Sequence, residues 1–217
     1  MLNQLLGKLE RKFGKFAIQN LMLYIIIGMG VFYIADMILS TNPDNNIFLL
    51  DMIYFDRAKI LAGEVWRVLS FLLMPPDYRL ILMVFILYFY WLMGTQLEAK
   101  WGSFKFNVYY FTGVIGCIIA GFITGFSTNA YLNLSVFLAF AVLFPEEEIY
   151  AFFVLPVKVK WLGLIDAALL VYKFINGGYY VRIFIVLSIA NFFLFFGKDF
   201  VQLMYYTGRR YYHKLKK

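Results

Sequence analysis

Six apolar runs divide this chain, near residues 17–39, 80–97, 104–125, 130–144, 159–175 and 179–197. Five of them can cross a hydrocarbon core of about 30 Å, or nearly so with flanking residues. The fourth, AYLNLSVFLAFAVLF from Ala130 to Phe144, is stopped by Pro145 and three glutamates. As a helix it reaches only about 22 Å. Apolar residues make up 63% of the 217, charged residues 15%, and the mean hydropathy is +0.73. Soluble domains hold roughly 45–50% apolar residues, so one soluble core could not hide this much apolar surface. The sequence predicts an all-α, polytopic membrane protein with six transmembrane helices. A short span is tolerated where protein surrounds it and water reaches one end. The fourth is therefore expected to be a central helix at the bottom of a cavity.

Charge sets the orientation. Fourteen Lys and Arg fall in the N-terminal arm, the turns near 98–105 and 145–160, and residues 198–217, against six on the opposite side. Both termini are therefore expected to be cytoplasmic. The net charge of +7 is explained by basic ends facing anionic lipid, and no nucleic-acid partner is needed. Residues 1–16 place Leu2, Leu5, Leu6, Leu9, Phe13 and Phe16 on one helical stripe, with Lys8, Arg11, Lys12 and Lys15 largely off it. This segment reads either as an amphipathic helix on the membrane surface or as a basic leader that fixes topology. Residues 17–197 form the membrane domain and 198–217 a basic tail. The large first loop, residues 41–79, mixes broken apolar stretches with Asp51, Asp56, Glu64 and Arg67. It fits short helices half sunk in the interface; a re-entrant hairpin is the alternative. The single cysteine, Cys117, permits no intramolecular disulfide.

Several motifs then coincide. The first loop ends in GEVWRVLSFLL, the second span ends in GTQLEAKWGSFKF, and AVLFP and VLPVKVKWLG follow the fourth. Trp66 and Arg67, with Gly94, Leu97, Glu98 and Gly102 in a G-x-x-L-E-x-x-x-G array, make the chain resemble the rhomboid superfamily over roughly residues 20–197. The resemblance implies a six-helix bundle with a short central fourth helix. Active members are intramembrane serine proteases with a serine at the start of that helix, a histidine in the sixth, and an H-x-x-x-N pair in the second. Such chemistry needs an activated nucleophile and oxyanion donors. Aligned on the shared motifs, Ala130 stands at the serine, Leu82 and Ile86 at the His and Asn, and Asn191 at the histidine. Val186 replaces a glycine. The resemblance thus implies a derlin-like pseudoprotease with no catalytic residues, one that handles transmembrane or misfolded membrane segments. The short tail shows no ATPase-recruiting motif. No cofactor or metal is expected.

The remaining polar residues carry two readings each. Ser135 is an interhelical hydrogen-bond residue or a displaced nucleophile; the only histidine, His213, lies in the tail, and Lys173 ends a helix. Asn133, Ser135 and Asn191 form a candidate client-binding polar cluster, or glue between the fourth and sixth helices. Asp166, an intramembrane acid, is a functional site or a packing residue. Gly113, Cys117, Gly121 and Gly125 make a small-residue stripe for close packing. Arg67 and Glu98 are expected to pin the loop and a helix end. Competing functions are an intramembrane serine endopeptidase and a small-solute carrier or channel, the latter opposed by the lack of paired broken helices.

Overall fold

The computed structural model describes residues 2–41, 48–77, 79–151, 155–187 and 189–195. The tail residues 198–217 and His213 lie outside them. Leucine spacing carries α1 (Leu2–Phe13), and a tight turn, Gly14–Phe16, ends it. The apolar runs become α2 (Leu21–Ser40), α5 (Leu80–Trp101), α6 (Ser103–Thr124), α7 (Ala130–Leu143), α8 (Val159–Asn176) and an apolar helix α9 (Tyr179–Phe195). Between α2 and α5 lie two short helices, α3 (Arg57–Leu61) and α4 (Arg67–Ser70), with tight turns at Leu49–Met52 and Phe71–Leu73.

Three helices, α2, α5 and α6, are long and apolar enough to cross a membrane, the property of an integral membrane protein. Their two faces explain why. On α2, Leu21, Met22, Ile25, Met29 and Tyr33 are buried, yet Tyr24, Ile27, Val31, Ile34 and Ile38 point outward. A helix apolar all round belongs in a large core or in lipid, and α2 has protein on one side only. Helix α8 is 18 residues long but holds Lys160, Asp166 and Lys173, and most of its apolar side chains face outward.

Helix α7 is 14 residues, about 21 Å, and it packs against α5, α6 and α8. Tyr131 also stacks on Phe184 of α9, with ring centroids 5.5 Å apart. Close approach around it relies on glycine. A Cβ on Gly113 would strike Leu132 of α7, one on Gly163 of α8 would lie 2.7 Å from the Ala141 Cβ, and one on Gly94 of α5 would strike Met22 of α2.

Two small antiparallel ladders interrupt the all-helical expectation. Strand β1 (Phe55–Asp56) pairs with β2 (Phe126–Ser127), joining the first loop to the segment before α7. Strands β3 (Glu148–Ala151) and β4 (Leu155–Lys158) form a hairpin where the sequence predicts an exposed turn. Two-residue strands have no periodicity to read, and the hairpin's register is held by ion pairs from Glu146 to Lys158 (2.9 Å) and Lys160 (2.6 Å).

Candidate functional site

The W-R and G-x-x-L-E-x-x-x-G motifs position the elements. Arg67 is 2% exposed, and its guanidinium donates to the Asp51 and Tyr54 carbonyls (2.9 and 3.0 Å) and to Glu64 Oε2 at 2.7 Å. It also sits over the Tyr54 ring, 5.0 Å from the centroid. Trp66 is more than half exposed and donates from its indole to the Met52 carbonyl at 3.1 Å. The pair therefore ties the first loop into a folded unit. Asp36, toward the end of α2, also holds this loop: its carboxylate accepts from the Leu50 N–H at 3.1 Å. Asp56 caps α3 by accepting from the Ala58 and Lys59 amides, and these bonds, the Lys59 one foremost, lower its pKa.

At the opposite end, Glu98 Oε1 accepts from the Asn20 N–H (2.8 Å) and the Ser103 hydroxyl (2.6 Å). Asn20 is left-handed (φ 54), a strained geometry for a non-glycine residue that the carboxylate helps to hold. Gly102, at φ 82, turns the chain from α5 into α6. Leu97 is fully buried beneath them. Each residue of the G-x-x-L-E-x-x-x-G array thus serves the fold: Gly94 by close approach, Leu97 in the core, Glu98 by capping and Gly102 by reversing the chain.

Ser135 and Asn191 come together; Asn133 does not join them. Ser135 Oγ lies 2.6 Å from the Tyr109 hydroxyl, which also bonds the Ser135 carbonyl at 2.8 Å. One phenolic hydrogen serves the carbonyl, so the serine hydroxyl donates to the phenol. The Asn191 amide approaches Ser135 Oγ at 3.5 Å and the Tyr109 carbonyl at 3.4 Å. Tyr109 is the member that sequence reasoning missed. Its signal was present: it stands one four-residue step before Gly113 on the small-residue stripe. The space beside the cluster, bounded by Gly113, Cys117, Leu132 and Leu187, is only about 10 Å³. That is at the limit for one water, so the cavity expected to have the short helix at its bottom is not found at this cluster. Large side chains of α9 fill the region instead.

This is not a nucleophile's environment. A serine oxygen attacks when an adjacent base takes its proton; here the proton goes to a buried tyrosine oxygen. Among the positions aligned with catalytic residues, Ala130 is the exposed first residue of α7 and Leu82 and Ile86 are half-buried apolar residues of α5. None of the three offers a side-chain donor.

Asn133 turns to another face of α7, toward Tyr90 of α5. It is 2% exposed, and neither amide atom makes a hydrogen bond of good geometry. The Tyr110 hydroxyl, Asn191 Oδ1 and one oxygen of Asp166 are likewise buried without a partner. Asp166 is half-buried on α8. Buried polar groups of this kind are rare, and several occur here on or beside one short helix. Among the described residues no group of three or more His, Cys, Asp or Glu could hold a metal ion. The chain matches no protein-family model and no curated protein, so the site stands on its own geometry.

Proposed function

We propose that this is a rhomboid-like, catalytically inactive membrane protein that binds transmembrane segments of other proteins. In this reading α2, α5, α6, α7, α8 and α9 are six spans, both termini are cytoplasmic, and the first loop lies in the outer interface. The observation that carries the binding role is the surplus hydrogen-bonding capacity on and beside α7: the Asn133 amide faces Tyr90 without a bond of good geometry, and Asn191 Oδ1 of α9 is buried without a partner. A helix of about 21 Å in a normal bilayer also thins the lipid around it or admits water. A client span carrying a polar residue is costly in intact hydrocarbon and less so there. Ser135, locked to Tyr109, supports the inactive reading over the protease.

Photocrosslinkers at Leu134 and Ala190, beside Asn133 and Asn191, test the role. Single-span clients with a central Asn, Asp or Lys should be captured over all-leucine spans. An interhelical hydrogen bond in membranes is worth about 0.6–1.7 kcal/mol, a preference of roughly three- to fifteenfold. Making Asn133, Ser135 and Asn191 apolar should abolish the preference. Equal capture of polar and all-leucine helices refutes the binding role. Fluorophosphonate labelling that disappears in Ser135→Ala would refute the inactive reading.

A further inference from the structure

A further polar orphan lies beside an open groove. Asn107, in the first turns of α6, is 6% exposed, and its Oδ1 has no hydrogen-bond partner. It lines a groove of about 340 Å³ between α6 and the segment joining α1 to α2. That volume is within the roughly 300–1,000 Å³ of small-molecule sites. The walls are apolar: Phe13, Phe16 and Ile18 on one side, Phe104, Phe111 and Ile115 on the other. Cations rim it. Lys12 Nζ sits 5.3 Å above the centroid of the Phe13 ring and Lys15 Nζ 5.1 Å above that of Phe16, both rings being groove walls. The acids nearby are engaged: Glu10 by Lys105 at 3.6 Å, and Glu98 by the Asn20 amide and the Ser103 hydroxyl.

We propose that this groove holds one molecule of an anionic glycerophospholipid from the surrounding bilayer. An apolar slot takes an acyl chain, and the Lys12 and Lys15 ammoniums meet the phosphate. Asn107 lies about 6 Å along α6 from its start, a step deeper into the groove. Its Oδ1 is shut in, so what the amide offers the groove is N–H, which suits an acyl ester carbonyl. Charge decides the occupant. The cationic rim disfavours the chain's own basic residues 198–217 and leaves a zwitterionic lipid without net attraction. The proposal is independent of client binding at α7, because the groove's lining shares no residue with the cluster of Tyr109, Ser135 and Asn191.

The full chain, purified in a neutral detergent, is titrated with dioleoyl phosphatidylglycerol or dioleoyl phosphatidylcholine and followed by native mass spectrometry. One phosphatidylglycerol should bind per chain, favoured about fivefold per participating lysine. Lys12→Gln with Lys15→Gln should reduce its affinity to that of phosphatidylcholine, and Asn107→Leu should weaken both lipids. Val108→Trp, which fills the groove from its floor, should exclude both while the melting temperature of the protein is kept. Equal affinity for the two lipids in the unaltered protein overturns the proposal. So does competition by millimolar inorganic phosphate, which would mark a plain anion site. A benzophenone at Phe111 should crosslink lipid; capture of a protein segment there in place of lipid also overturns it.

Discussion

Replacing Arg67 with alanine should be among the most damaging single changes outside the helix cores. The guanidinium is buried, and its donors serve two backbone carbonyls and one carboxylate. The carbonyls of Asp51 and Tyr54 would lose a charged donor in a place where water does not readily replace it. Bonds of that type contribute about 1.5–3 kcal/mol each. The Glu64 side chain is 35% exposed and rehydrates, so its ion pair adds at most about 1 kcal/mol. The contact with Tyr54 adds about 0.5–1 kcal/mol. Because the terms share one side chain they are not additive, and about 4 kcal/mol is a fair total. For a chain of this size that lowers an apparent melting temperature by about 8–16 °C. Thermal unfolding in detergent, followed by tryptophan fluorescence, measures it. Arg67→Lys should recover about half, since an ammonium can reach one carbonyl but cannot fork to two. Tyr54→Leu and Glu64→Gln should each cost little. A melting temperature within about 2 °C of the unaltered protein would refute the argument that Arg67 holds the loop. Joined to a loss of client capture, it would make Arg67 a contact residue.

Reporter fusions after residues 15, 127 and 217 should read inside, outside and inside; an external C-terminus would sink both the orientation and the six-span count. Gly121→Ala should destabilise by about 1–3 kcal/mol, because its Cβ would lie 2.5 Å from the Phe55 ring, and Phe55→Leu in the same chain should relieve part of it. Unchanged melting of Gly121→Ala would show that the loop is not packed there. Bonds from Lys160 and then Lys158 hold the Glu146 carboxyl at about 2, below its ordinary 4.5. The folded value is depressed, so this stabilisation is complete above about pH 4.5 and lost as pH falls toward 2. Amide exchange across β3 and β4 should accelerate in that window, and not in Glu146→Gln; identical pH profiles would exclude the ion pairs as the cause.

Run length and motif spacing foretold much of this architecture. The stop at Pro145 marks the short α7, and Glu98, expected to pin a helix end, accepts from the Asn20 amide and the Ser103 hydroxyl. Those signals are local, and local signals survive in sequence. What escaped was long-range or two-sided. The β1–β2 pairing joins Phe55 to Ser127 through two-residue strands, too short to show alternation. Asn133 and Ser135 are two residues apart, which on a helix means nearly opposite faces; a shared cluster needed a neighbour large enough to reach around, and Tyr109 serves only Ser135. Nothing in the helix that carries Asp36 reveals that the Leu50 amide returns to it. The single-water void beside Ser135 depended on the volumes of α9 side chains, which composition does not arrange in space.

The latch between the first loop and α6 has a consequence in time. Phe55 is fully buried under Phe71 and Phe122, and Arg57 donates to the Phe122 carbonyl at 2.9 Å, 65 positions later in the chain. None of the contacts to Phe122 can form until α6 has been synthesised. At about 5–20 residues per second of chain elongation, the loop waits roughly 3–13 seconds after Arg57 is made before its anchor exists. For that interval Arg67 can fold the loop onto itself, through Asp51, Tyr54 and Glu64, and Asp36 of α2 can hold the Leu50 amide, but the anchor on α6 is missing. A ribosome stalled between residues 80 and 120 would therefore display a loop held on its α2 side alone, with Phe55 still uncovered by Phe122.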